Sequence, residues 1–223
     1  MVEPAAIINL EDVSFAYPRG NLVLDGLNFT FPMGERAGLV GPTGSGKTTL
    51  VHIIMGLLKP ASGQVEIFRR LCEKEVDFRE VRARIGFLFQ DADDQLFCPT
   101  VAEDVAFGPL NLGIPHAQVR VLVKDTLARL GLEGFENRVT YKLSGGEKRL
   151  VSLATVLAMN PELLLMDEPT TGLDEDTMER LAQLLLKSNL PYLIISHDHE
   201  FLDRTTTGLY RMNEGTVERQ AKG

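Results

Sequence analysis

The nine residues Gly41-Pro42-Thr43-Gly44-Ser45-Gly46-Lys47-Thr48-Thr49 constrain the fold of this chain more than any other stretch. They follow Arg36-Ala37-Gly38-Leu39-Val40, a short apolar run that reads as a buried strand. They precede Leu50–Met55, which has enough apolar positions to be a helix packed on a sheet. Strand, glycine-rich turn and helix in that order are the setting a phosphate-binding loop requires. The glycines let the backbone curl so that successive N–H groups point inward at phosphate oxygens. The following helix start adds free N–H groups and partial positive charge. Lys47 would reach the β- and γ-phosphates as a point charge, and the Thr48 hydroxyl would hold Mg2+. The rival reading, a Gly/Ser-rich surface turn that happens to contain Lys-Thr, does not account for the two flanks. The chain is expected to bind a nucleoside triphosphate.

The 223 residues allow one domain, or a domain with a subdomain, and a sizeable core. A net charge of −8 argues against a nucleic-acid surface as the main business of the chain. Cys72 and Cys98 show no metal-ligand spacing and are expected to be reduced thiols in a cytosolic protein. No apolar run approaches the roughly 18–20 residues that span a bilayer. The start, Met1-Val2-Glu3-Pro4, has no basic region and suggests no secretory signal. Work at a membrane would need another chain to do the spanning.

The pattern predicts strands over 7–17 and 22–31, the second antiparallel in type, then the strand into the phosphate loop. Lys59-Pro60-Ala61-Ser62-Gly63 breaks the loop helix, and 64–68 alternates as a strand. A short charged helix over 78–84 and a buried strand over 85–89 lead to Gln90. Residues 91–141 read as a mainly helical insertion, clearest over 116–130. A helix over 144–159, an apolar strand over 163–166, a helix over 176–187, a strand over 192–195 and a closing hairpin or edge pair over 208–217 follow. Strands alternating with helices mean an α/β fold with a largely parallel sheet.

Leu163-Leu164-Leu165-Met166-Asp167-Glu168-Pro169 narrows the chemistry. A buried strand that delivers two carboxylates at its C-terminal end is expected to place them at the sheet edge that carries the phosphate loop. Asp167 would hold Mg2+ through water, and Glu168 could polarise the attacking water. Leu143-Ser144-Gly145-Gly146-Glu147 is a second anion cradle, a hydroxyl and backbone N–H groups at a helix start. One triphosphate does not need two such cradles from one chain, so this one is expected to close on a phosphate held by another subunit. The same residues spell a capping box, Ser144 as cap and Glu147 three positions on, and the two readings are compatible.

Together these motifs resemble the nucleotide-binding subunit of ATP-binding-cassette (ABC) proteins, from about Leu10 to about Val217. The resemblance implies a P-loop NTPase (RecA-like) fold: a mainly parallel sheet core with an N-terminal antiparallel β subdomain and a helical ABC subdomain. Residues 1–223 would form a single ABC ATPase domain, with 1–90 and 151–223 as core and 91–150 as the helical subdomain with the signature motif. It implies ATP and Mg2+ as cofactors, with ATP held by Tyr17, Gly41–Thr49, Ser144–Glu147 and Asp174, and Mg2+ by Thr48, Gln90 and Asp167. Tyr17 would stack on adenine. Glu168, His197, Lys47 and Gln90 would carry the hydrolysis, with Gln90 also relaying to a membrane partner and His197 contacting the γ-phosphate. Thr171-Gly172-Leu173-Asp174 looks like the loop that crosses to the opposing site.

The wording after Gln90, Asp91-Ala92-Asp93-Asp94-Gln95-Leu96-Phe97 and onward to Gly113, is similar to the ATPases of energy-coupling-factor (ECF) transporters. That likeness implies a second ATPase subunit, as a homodimer in preference to a heterodimer. It also implies a transmembrane coupling protein and a substrate-binding membrane protein, with the chain on the cytoplasmic face of the inner membrane. Asp91, Asp93 and Asp94 would meet arginines of the coupling protein. The short stretch after Val217 favours a cobalt or nickel importer over a vitamin importer. The rivals are a soluble ABC ATPase acting on nucleic acid or ribosomes, and a regulatory or small-molecule kinase module.

Overall fold

A computed structural model describes residues 5–18 and 20–220. In chain order come β1 (Ala6–Ala16), β2 (Leu22–Pro32), β3 (Arg36–Val40), α1 (Lys47–Ile54), β4 (Ser62–Ile67) and β5 (Arg70–Leu71). Next are α2 (Glu75–Arg82), β6 (Ile85–Leu88), α3 (Val101–Asn111), α4 (His116–Arg129) and α5 (Gly145–Leu157). The chain continues through β7 (Leu163–Asp167), α6 (Glu175–Lys187), β8 (Tyr192–Ile195), α7 (His199–Thr205), β9 (Gly208–Asn213) and β10 (Thr216–Gln220). These elements gather into two compact units, Met1–Arg82 with Pro191–Gly223, and Ala83–Leu190.

The first unit holds an antiparallel sheet in the order β2-β1-β4-β5. Ile8 and Leu10 of β1 oppose Phe31 and Phe29 of β2, and all four side chains are buried, which sets the register. It also holds strands in the order β10-β9-β3-β8, with β3 parallel to both β8 and β9. A central parallel strand is covered on both faces, which is why Ala37–Val40 and Tyr192–Ile195 are apolar and buried throughout. The expected closing hairpin is β9 with β10, paired antiparallel. A polar cluster centred on the buried Glu35 carboxylate pins this hairpin. Glu35 accepts from the Tyr210 hydroxyl at 2.7 Å and from Arg219 at 2.6 Å. Burial and the Glu35 carboxylate together push the Tyr210 phenol well above its ordinary range.

In the second unit β6 and β7 pair in parallel, Ile85 with Leu163 through Leu88 with Met166. The expected insertion supplies α3 and α4. Helix α3 opens with a capping box, Thr100 with Glu103, and packs on α5. Asp104 is buried because its carboxylate takes the backbone N–H groups of Phe97 and Cys98 and the Thr140 hydroxyl. The charged helix expected over 78–84 begins earlier, at Glu75, because the Asp77 side chain accepts from the N–H groups of Glu73 and Lys74. Helix α7, capped by Asp198 through the Phe201 N–H at 2.9 Å, has too few apolar positions to stand out in the sequence.

Candidate functional site

The phosphate loop leaves the carboxyl end of β3 and closes on α1. A Cβ at Gly41 would lie 2.2 Å from the Met212 carbonyl, so the loop passes β9 at a distance only glycine allows. Gly46 caps α1 in the left-handed conformation, φ 104°, and among the described residues no side-chain cap bond forms there. Lys47 is buried and its ammonium donates to the carbonyls of Gly41 and Pro42, both at 2.9 Å. That folds the charge against the loop. The Ser45 hydroxyl is buried and has no hydrogen-bond partner among the described residues. A phosphate oxygen is the partner that hydroxyl lacks, so the loop fits a triphosphate. Pro42, Thr43, Gly44 and Thr48 are exposed along the loop and Thr49 is buried beneath it.

Tyr17 stands beside the loop. Its hydroxyl lies 3.1 Å from Thr49 Oγ1, and its ring meets Phe15 edge-on at 5.0 Å. With Gly44, Ser45 and Val23 it lines a cavity of about 460 Å3. His197, exposed after β8, lines a second cavity of about 400 Å3 with Gly41, Pro42 and Arg211. The first unit therefore brings Tyr17, the phosphate loop and His197 around one strand end.

The second unit brings together the acidic strand end, Gln90 and the second cradle. Asp167 ends β7 and is buried. Glu168 follows with φ 46°, a left-handed conformation that costs a non-glycine residue about 1–3 kcal/mol. Gln90 is exposed beyond the end of β6. Ser144 and Glu147 form the expected capping box: Ser144 Oγ accepts from the Glu147 N–H at 3.3 Å, and Glu147 accepts from the Ser144 N–H at 2.8 Å. Arg138 adds an ion pair to Glu147 at 2.8 Å. The Ser144 N–H bond, then the Ser144 side chain and Arg138, hold the Glu147 carboxyl below its ordinary range. Ser144 and Gly145 are exposed, and Gly146 faces Thr177, whose N–H is capped by Asp174 at 2.7 Å.

Thr48 lies on the first unit, and Gln90 and Asp167 on the second. Among the described residues no three His, Cys, Asp or Glu side chains cluster as a metal cage. Each of the Thr48, Gln90 and Asp167 side chains, taken by itself, offers an oxygen, the donor type that Mg2+ takes. Two of the three acidic residues after Gln90 are engaged within the chain. Asp91 caps a short 3-10 turn at Asp93 N, and Asp93 pairs with Lys148 at 2.5 Å.

Gln95 and Arg149 carry no mark in the sequence that assigns them a role. Gln95 bonds Ser152 O, Thr155 Oγ1 and the Phe89 N–H, tying the insertion to α5. Arg149, buried in α5, donates to the carbonyls of Phe89, Asp167, Glu168 and Pro169. No local pattern singles out either one, because most of their partners are distant in sequence.

Comparison with known families settles the class. The family described as ABC transporter matches residues 24–171. The chain belongs to the ABC transporter family. This ABC chain is 43% identical over 215 residues to the energy-coupling factor transporter ATP-binding protein EcfA of Methanothermobacter thermautotrophicus, covering 95% of this chain and 69% of that one. It is similar to the structure of CbiO1 from Clostridium perfringens, described as part of the ABC transporter complex cbiONQ. There the TM-score is 0.83 at 33% identity, over 96% of this chain and 87% of that one. The ATP-binding cassette MJ0796, solved as a dimer with ADP and Pi in a post-hydrolysis state, gives a TM-score of 0.87 at 29% identity, over 96% of this chain and 98% of that one. The ABC chain thus has the P-loop NTPase fold of this family, and its activity is that of an ATPase, in an ATP-binding subunit of the ABC/ECF type.

Proposed function

We propose that this ATPase powers an ECF-type importer of cobalt or nickel ions from the cytoplasmic face of the membrane. Among the described residues no helix is long and apolar enough to cross a bilayer, so membrane-spanning partners carry the cargo path. Those partners are a coupling protein and a substrate-binding membrane protein. The likeness to CbiO1, described as part of the ABC transporter complex cbiONQ, supports a subunit that works within a transporter complex.

Two copies would close on two ATP molecules, each between the phosphate loop of one copy and Ser144–Glu147 of the other, with Asp174 near the crossing. The observation that carries this is the exposure of Ser144 and Gly145 at a well-formed helix start, an anion cradle turned to solvent. Tyr17 would hold the adenine. The Lys47 ammonium would leave the Gly41 and Pro42 carbonyls for the phosphates, while the loop N–H groups and Ser45 orient them. Glu168 would accept a proton from the attacking water, and His197 and Gln90 would orient that water. Thr48, Gln90 and Asp167 would hold Mg2+, which when bound offsets phosphate charge. In this division of labour residues 91–150 act as the helical subdomain on the remaining core.

Size-exclusion chromatography of Glu168→Gln with and without ATP tests the shared site. An ATP-dependent dimer that Ser144→Arg abolishes is the expected result. A Ser144→Arg monomer hydrolysing ATP at the wild-type rate would overturn it. Transport of radiolabelled cobalt, nickel or vitamins by the reconstituted complex tests the cargo.

A further inference from the structure

Glu168 and Gln90 hang on segments with little regular structure of their own. The first sits in a left-handed conformation just past β7, and the second lies two residues past the end of β6. The Arg149 guanidinium reaches the backbone of both segments. Its Nε donates to Pro169 O at 3.0 Å, and its Nη2 to Asp167 O at 3.0 Å and to Glu168 O. Its Nη1 donates to Phe89 O, the carbonyl of the peptide bond that leads into Gln90. A planar fork of N–H donors suits such a task, since several carbonyls on different segments can be held in one geometry. Burial lowers the guanidinium to about 10, with Asp167, Asp91 and Glu168 opposing the shift, so the group stays charged at neutral pH. Arg149 also stands on the first turns of α5, five residues past the Ser144 cap, so the clamp and the cradle belong to one rigid element.

The geometry points to Arg149 as a positioning residue for hydrolysis: it holds the Glu168 peptide in its left-handed conformation and the peptide before Gln90 in register with α5. This rests on the reading of Glu168 as the group that takes the water proton. Arg149 itself needs no contact with nucleotide. A side chain without the fork would leave ATP binding at the phosphate loop intact and let Glu168 relax from its aim. Misplacement of a reacting group by about 1 Å costs up to about a hundredfold in rate.

The test is a cycle of Arg149→Met and Arg149→Lys, each alone and with Glu168→Gln, read by kcat, KM for ATP and single-turnover hydrolysis. Arg149→Met is expected to lower kcat at least about tenfold with KM within about threefold, and Arg149→Lys to recover part of the loss. In the Glu168→Gln background either change should slow hydrolysis by less than it does in the wild type, because one of the two groups they aim is already gone. Wild-type kcat in Arg149→Met overturns the proposal. So do losses that multiply in the double variant, and KM rising in step with the fall in kcat, since these mark a merely structural role. If Arg149→Met does not fold, the Arg149→Lys arm of the cycle decides by the same criteria. Unimpaired turnover by Glu168→Gln alone removes Glu168 from the reaction, and this proposal with it. Slow turnover there combined with fast turnover in Arg149→Met removes only Arg149.

Discussion

The hydroxyl of Tyr17 lies 3.1 Å from Oγ1 of Thr49, across 32 positions of sequence. The contact fastens the end of β1 to the first turn of the phosphate-loop helix, so the aromatic face and the loop share one frame. Tyr17→Phe keeps the ring and loses the bond. ATP affinity should weaken by the equivalent of about 0.5–1.5 kcal/mol. Tyr17→Ala should weaken it further by about the worth of an aromatic stacking contact, 0.5–1.5 kcal/mol. Calorimetric titration with ATP distinguishes the two; equal affinity of both variants and wild type would remove Tyr17 from the adenine site.

Gly41→Ala tests the loop itself. The added carbon would meet the Met212 carbonyl at 2.2 Å and the Ser45 hydroxyl at 3.0 Å, and backbone must move to admit it. ATP binding should fall by about tenfold or more while the rest of the fold survives, because glycine at this approach is required by space. Nucleotide titration beside a far-ultraviolet circular dichroism spectrum checks both halves of that statement.

Glu168→Gln should retain ATP and lose at least about a hundredfold in kcat, the usual range for a general base. A steady-state phosphate-release assay measures it. Turnover within a few-fold of wild type would assign the proton to another group.

The Glu147 cap makes acid sensitivity a local matter. Its carboxyl titrates below an unfolded glutamate, so its charge stabilises the folded helix start at and above the ordinary glutamate range. That contribution drains away as pH falls through the lowered value. Thermal melts of wild type and Glu147→Gln should therefore converge in acid and differ at neutral pH, with wild type the more stable there. A gap that stays constant with pH would show that the charge plays no part.

Tyr210→Phe removes one donor from the buried Glu35 carboxylate and leaves Arg219 as the other. The loss should be about 1.5–3 kcal/mol of stability, as for a bond to a charged group. Chemical denaturation should report it, with KM for ATP unchanged. A shift in KM would mean that the hairpin of β9 and β10 sets the loop geometry as well as supporting it.

Patterns that close within a few residues are legible in the order of the amino acids. The glycines and Lys47 of the loop, the box of Ser144 and Glu147, and the all-apolar run leading to Asp167 each declare themselves because their partners are local or their burial is uniform. Helix α7 leaves no such trace, because its cap at Asp198 and its apolar positions, Phe201 and Leu202, fit within two turns. The start of α2 is hidden in the same way, because the Asp77 side chain bonds backward into a segment that reads as loop.

Sequence alone determined the class of this protein. Phosphate loops, capping boxes and acidic strand ends are chemistries of adjacent residues, so their order along the chain carries their meaning. Only the tertiary structure decided what holds them in place: Thr49 under Tyr17, Tyr210 and Arg219 on Glu35, and Arg149 across the ends of β6 and β7. Those partners lie 18 to 184 positions apart in sequence. A donor finds an acceptor at such range because the folded chain brings them to hydrogen-bonding distance, and no spacing in a linear sequence encodes that.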